Sequence, residues 1–318
     1  MQIAYHASHE QFSPSELLRY IQLAEQGGFD AIHSSDHFYP WSERQGQSGY
    51  SFSWIGAAMQ STRLPFSMVC APGQRYHPAI VAQAIATLGE MFPNRYSIEL
   101  GSGEAINESI TGDPWPSKAK RNQRLLESAS VIRQLLNGEK VNMDASIKVR
   151  NARLYTRPPV IPPLFCAAIS AETAAWAGSW ADGLLTTAGD PDEVRDKINA
   201  FRANGGENKP VYIQYCFSFA CVRDEAIDGA FDQWRSNLLP VEKLADLSTP
   251  EEFDKAAEHV SREDVKKQIP AVSDLSELSE LFIRYRNSGV QRLILHNVNR
   301  NQEAFIKEYY RQKKMLLK

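Results

Sequence analysis

The segment Ser34-Ser35-Asp36-His37-Phe38-Tyr39-Pro40-Trp41 puts a carboxylate, an imidazole and a large aromatic within six residues. Histidine exchanges a proton near neutral pH, and tryptophan offers a flat apolar wall to a ring system. Together they suit acid–base chemistry beside a planar ligand. A second candidate is Gly101-Ser102-Gly103-Glu104-Ala105-Ile106-Asn107-Glu108. Its Gly-x-Gly turn lets backbone approach a bound ring, and Glu104 just beyond it would point into the same space. A tight turn with Glu104 capping the next helix is an open alternative at this stage. In a third segment, Leu164 to Glu172, small residues mark a strand-to-helix junction. Free N–H groups at such a helix start suit a phosphate, and close packing would account for the small residues equally well.

These segments need a scaffold that places strand ends side by side. Short apolar runs alternate with longer amphipathic stretches along the whole chain, the pattern of parallel strands joined by helical crossovers. Strands are expected to begin near Ile3, Ala31, Phe66, Tyr96, Leu164, Gly183, Val211 and Leu293. Eight such units predict a (β/α)8 TIM barrel, whose functional residues sit at the carboxyl ends of the strands and in the loops that follow. Ser13-Pro14-Ser15-Glu16 carries an N-cap serine, a proline at the first helical position and a glutamate three residues after the cap. Asp190-Pro191-Asp192-Glu193 repeats that signal, and Pro78 to Met91 and Ser117 to Leu136 have helical spacing. Two insertions break the alternation: residues 139–160 read as a hairpin or extended segment, and 238–273 as a charged, partly helical segment placed where a barrel carries a lid. One domain spanning 1–318 is the simplest organisation.

Composition narrows the function class. A chain of 318 residues with 43% hydrophobic and 23% charged residues can bury a large core, and a net charge of −3 without runs of like charge offers no footprint for nucleic acid or an anionic membrane. With no basic leader and no long apolar window, the expectation is a cytoplasmic protein acting on a small molecule. Cys70, Cys166, Cys216 and Cys221 lack metal-ligand spacing and read as mostly buried thiols. Among the histidines, His33 is expected to be a satisfied strand residue and His259 a surface one. His6 and His296 stay open between structural and pocket roles, and no metal site is expected.

The stretches Tyr5 to Phe12, Ser35 to Trp41, Arg75-Tyr76-His77-Pro78 with Ala82-Gln83-Ala84, Pro93-Asn94-Arg95 and Gly101 to Glu108 resemble, in combination and in order, the luciferase-like flavin and deazaflavin oxidoreductases. The likeness is strongest to the deazaflavin-dependent glucose-6-phosphate dehydrogenase branch and weakens after residue 139. What it implies is hydride transfer between a small organic substrate and the flavin. His37 would be the base, Glu104 the acid, and Trp41 the wall beside the reacting carbon. Asp36, Met68, Val69, Ser102, Gly103, Asn107, Ala168, Ile169 and Ser170 would line the cofactor, with a non-proline cis peptide at Met68-Val69. Thr187, Lys243 and Lys267 stand where the sugar-phosphate enzymes grip phosphate. Thr187-Ala188-Gly189-Asp190 replaces a lysine there with a carboxylate, which argues against glucose 6-phosphate. Ile169-Ser170 stands where a glycine pair is usual, which shifts the expected cofactor to FMN ahead of the F420 deazaflavin. A monooxygenase that uses reduced FMN from a separate flavin reductase is the alternative chemistry, and a homodimer is expected by analogy.

Overall fold

The computed structural model describes residues 1–316, apart from the side chain at position 242. The elements follow in the order β1 (Gln2–Ala7), α1 (Pro14–Gln26), β2 (Ala31–Ser35), α2 (Ser51–Ser61), β3 (Phe66–Cys70), α3 (Pro78–Met91), β4 (Tyr96–Leu100), α4 (Ala105–Glu108) and α5 (Lys118–Leu136). Next come the hairpin strands β5 (Val141–Asp144) and β6 (Lys148–Ala152), then β7 (Leu164–Ala167), α6 (Ala171–Gly178), β8 (Gly183–Thr187), α7 (Pro191–Phe201), β9 (Val211–Phe219) and α8 (Arg223–Trp234). The chain ends with α9 (Val241–Asp246), α10 (Pro250–Ala256), α11 (Arg262–Gln268), β10 (Ala271–Val272), α12 (Ser279–Asn287), β11 (Arg292–Asn297) and α13 (Gln302–Leu316).

Eight parallel strands close on themselves in the order β1-β2-β3-β4-β7-β8-β9-β11, with β11 returning to β1 through Ile3↔Leu293 and Tyr5↔Leu295. This is the expected (β/α)8 barrel. The first and last strands pair, so most of the chain lies between two halves of one ladder. Residues 139–160 contain the antiparallel β5–β6 hairpin, and 238–273 carry α9, α10, α11 and the short β10, which adds to β9 outside the ring.

Local signals explain the helix starts. Ser13 and Glu16 form a reciprocal capping box with Pro14 at the first turn, a device worth about 1 kcal/mol. Leu17, Tyr20, Ile21 and Ala24 are then buried along one face. Asp190 caps α7 by accepting from the Asp192 N–H.

Strand alternation sorts the side chains into two populations. Outward residues such as Ile3, Tyr5, Ile32, Met68 and Ile98 join the large apolar layer under the helices. Inward residues are aliphatic (Ala4, Ala31, Leu185 and Ile294, with Val69 and Ala167 against them), aromatic (Phe165 and Tyr212, ring centroids 4.6 Å apart) or polar. The polar ones are His6, His33, Ser67, Glu99, Arg292 and His296, all buried. Gly183 is glycine because a Cβ there would lie 2.6 Å from the Phe165 ring that fills the barrel beside it.

The peptide bonds among the described residues are all trans, so the expected cis bond at Met68-Val69 is not there. Regular pairing runs straight through that point, with Ser34↔Met68, Ser35↔Val69, Met68↔Ile98 and Val69↔Glu99 in register on both sides. Cys70 and Cys166 are buried as expected, whereas Cys221 is exposed just beyond β9. No helix among the described residues is long and apolar enough to cross a membrane, and none of their His, Cys, Asp and Glu side chains cluster in a way that could hold a metal.

Candidate active site

Asp36, His37 and Trp41 leave the carboxyl end of β2 on a loop that several distant residues hold in place. The Ser48 hydroxyl donates to the His37 carbonyl at 2.7 Å, and the Trp41 N–H donates to Gln45 Oε1 at 2.8 Å. The Phe38 N–H donates to Asn107 Oδ1 at 2.9 Å, which turns the Asn107 amide nitrogen toward His37 Nδ1, 3.4 Å away. Asn107, expected to line a cofactor, therefore also braces the histidine.

The other ring nitrogen, His37 Nε2, lies 3.6 Å from Glu10 Oε1. Glu10 follows β1 and is buried, and its carboxylate accepts from Ser35 Oγ at 2.6 Å and Ser8 Oγ at 2.8 Å. Burial by itself would raise this carboxyl, but His37 and the two hydroxyls outweigh it and hold Glu10 at about 2. His37 thus faces a permanent carboxylate on one side and an amide on the other. Its ring centroid is 5.0 Å from that of Trp41, at 57°. Trp41 in turn meets Phe253 of α10 edge-on at 5.3 Å, a contact worth about 1 kcal/mol beyond its area. Ser42 Oγ and Arg44 both reach Asp254, so the 238–273 insertion is fastened over the His37 loop.

Glu104 sits at the N-cap position of α4, but its side chain makes no capping hydrogen bond. The capping alternative therefore fails, and the carboxyl is free for chemistry. Burial lifts its pKa, His37 works against that rise, and Glu10 and Glu108 add to it. The preceding Gly103 has φ +85°, where glycine is favoured, and a Cβ there would meet Glu108 at 3.1 Å and Trp115 at 3.4 Å.

Asp36 is tied down by Arg75, whose Nη2 donates to Oδ2 at 2.8 Å and to the Asp36 carbonyl at 3.1 Å, while the Tyr76 hydroxyl donates to Oδ1. Arg75 also approaches Glu108, Nε to Oε1 at 3.6 Å. Burial raises the Asp36 carboxyl and Arg75 opposes it.

Other expected cofactor residues divide. Val69, Ser102, Gly103 and Ala168 stand at the ends of β3, β4 and β7. Met68 points the other way, fully buried in the layer under the helices, because alternation puts it on the opposite face from Val69. Ile169, just beyond β7, is 52% exposed. Ser170 caps α6 by accepting from the Thr173 N–H. Thr187, Lys243 and Lys267 are exposed, on the end of β8, on α9 and on α11. The largest charge effects on Glu104 come from His37, Glu10, Glu108 and Arg121.

Glu10 and Arg75 are the site residues that sequence reasoning left without a role. A carboxylate just past a barrel strand end was the available signal for Glu10. His296 lies at the base of the mouth, where burial lowers it to about 4; it contacts Gln214 and Gln11, and its ring lies 4.1 Å from that of His6.

Comparison with known proteins matches residues 1–292 to the family described as luciferase-like monooxygenase. An F420-dependent glucose-6-phosphate dehydrogenase of Beutenbergia cavernae is 33% identical over 97% of this chain and 95% of its own. The enzyme of that description from Mycobacterium tuberculosis is 32% identical over 96% and 95%. Among solved structures, an F420-dependent secondary alcohol dehydrogenase in complex with an F420–acetone adduct superposes with a TM-score of 0.89 at 29% identity, covering 98% of this chain and 97% of that one.

Proposed function

The chain belongs to the luciferase-like monooxygenase family, and from that membership we propose that it is an F420-type, deazaflavin-dependent oxidoreductase that transfers hydride to or from a small organic substrate. The relatives reported above are named as F420-dependent, and this takes precedence over the FMN preference, which rested on Ile169-Ser170. The same reading treats residues 1–318 as one domain, supported by the β1–β11 pairing.

The observation that carries the proposal is the seating of His37 between Glu10 and Asn107, against Trp41, with the uncapped Glu104 carboxyl in the same mouth. The strand ends there carry Val69, Gly101, Ser102, Gly103 and Ala167, and these small side chains leave room for a planar ring. When bound, the deazaflavin supplies the carbon that exchanges hydride. His37 accepts the substrate hydroxyl proton on its imidazole ring. The Glu10 carboxylate at Nε2 then stabilises the imidazolium, as a carboxylate orients and supports the histidine of a hydrolytic triad. Glu104, held toward its protonated form by burial, is the acid, and Trp41 screens the pair from water. The test is titration of apo-protein with F420 and with FMN, followed by turnover of secondary alcohols by wild type and Glu104→Gln. The expected result is tighter F420 binding, retained in the variant, and turnover reduced by about 10²- to 10⁴-fold. Unchanged turnover on a true substrate would remove Glu104 from the mechanism.

A further inference from the structure

Trp41 is gripped from two directions. On the barrel side its N–H donates to Gln45 Oε1 at 2.8 Å, and the buried Gln45 amide donates in turn to the Gln233 carbonyl of α8 at 3.0 Å. Arg300, just beyond β11, adds bonds from Nη2 to the Arg44 and Gln45 carbonyls at 2.7 and 3.2 Å. On the other side stands α10, part of the 238–273 insertion. Its Phe253 is fully buried and meets the indole edge-on, and the next residue, Asp254, takes hold of the chain just past Trp41.

The chain turns at that point, with the Gln45 N–H donating to the Ser42 carbonyl at 3.0 Å. Three successive residues of the turn reach one carboxylate. The Ser42 hydroxyl donates to Asp254 Oδ1 at 2.7 Å, the Glu43 N–H donates to Oδ2 at 3.1 Å, and Arg44 Nη2 pairs with Oδ1 at 2.8 Å. A carboxylate offers about four lone-pair sites, so this one turn occupies most of them. Ser42 is fully buried, and the Arg44 and Asp254 side chains are 26% and 20% exposed, which shields the contacts in part from water.

The two α10 contacts do different work. Apolar contact such as that of Phe253 is non-directional and lets a ring slide. Hydrogen bonds to a backbone N–H and a buried hydroxyl have a fixed length and direction, so they set where the chain after Trp41 runs. The indole lies between the Phe253 and His37 rings, with centroids 5.3 and 5.0 Å away. We propose that Asp254 is a positioning residue: by holding residues 42–44 it fixes the Trp41 indole beside His37, and so makes the insertion part of the catalytic mouth. The expected effect on turnover rests on the hydride-transfer reading above, whereas the placement of Trp41 concerns this chain alone. A displacement of about 1 Å at a reacting centre can cost about 10²-fold in rate.

The test has two readouts. In full-length apo-protein labelled with 5-fluorotryptophan, the ¹⁹F resonance of Trp41 is identified by its loss in Trp41→Phe. Asp254→Ala should shift and broaden that resonance while those of Trp54 in α2 and Trp176 in α6 hold still. Asp254→Asn, which keeps the shape and one acceptor oxygen, should give a smaller shift in the same direction, and it serves alone if the alanine variant does not fold. With F420 and a secondary alcohol that the wild type turns over, kcat of Asp254→Ala should fall by about ten- to a hundredfold. In a Trp41→Phe background the same substitution should cost less than about threefold, because the group it positions is gone. A Trp41 resonance unmoved by both Asp254 variants, or a loss of kcat as large in the Trp41→Phe background as in wild type, overturns the assignment. Absence of turnover by wild type would count against the hydride-transfer reading, and the fluorine spectrum would then decide the role of Asp254 by itself.

Discussion

Acidification should unfold this protein through its buried histidines. His9, His33 and His296 are almost wholly excluded from water. Burial lowers them from 6.5 to about 4, 3 and 4, and it lowers His6 as well. Below pH 6.5 the unfolded chain takes up protons that the folded chain refuses. The stability these groups contribute is thus complete above that value and is lost as pH falls toward the folded pKa values. Between about pH 6.5 and 5, His9, His33 and His296 together withdraw about 5 kcal/mol. Glu99 works in the opposite sense, because its folded value of about 8 lies above the unfolded 4.5; it returns about 2 kcal/mol over the same interval. For these four groups together the loss is about 3 kcal/mol at pH 5 and about 6 by pH 4, against the 5–15 kcal/mol that holds a typical domain together. Urea unfolding followed by tryptophan fluorescence at several pH values in this range measures it directly. His296→Asn should remove about a third of the histidine part. A free energy of unfolding that stays constant within about 1 kcal/mol from pH 6.5 to 5 would refute the reasoning.

Three further outcomes follow from the same structure. Glu10→Gln removes the carboxylate 3.6 Å from His37 Nε2, and kcat/KM should fall by about one to three orders of magnitude while cofactor affinity, measured by fluorescence titration, holds. Arg75→Met strands Asp36 and Glu108 as buried carboxyls without their cation; thermal denaturation should report a loss of about 3–5 kcal/mol, partly relieved at acid pH. Glu99→Gln removes a buried carboxyl whose ionisation is costly, so at about pH 8 the variant should be more stable than wild type by about 4 kcal/mol in urea unfolding.

Much of the scaffold was legible because its signals are local. The starts of the eight strands, the caps at Ser13 and Asp190, the hairpin in 139–160 and the helical insertion in 238–273 depend on side-chain spacing and turn chemistry within a dozen or so residues. The site was legible in part. His37, Trp41 and Glu104 could be picked out as candidates because a barrel puts function at the carboxyl ends of its strands. Met68 was misplaced because it was carried over with Val69, although neighbours on a strand face opposite ways. The cis bond implied by resemblance gave way to an uninterrupted ladder, and Asn107 took on bracing the histidine loop as well.

The amino-acid sequence by itself determined the order of elements, the (β/α)8 class and which short segments are candidates for chemistry, since each is encoded by neighbours along the chain. Only the tertiary structure decided the partnerships: Glu10 with His37, Arg75 with both Asp36 and Glu108, Phe253 over Trp41, and Asp254 with Ser42 and Arg44. These residues lie 27 to 212 positions apart, and no local pattern relates them. Barrel closure fixes which strand ends become neighbours, and burial then decides which charges must find one another.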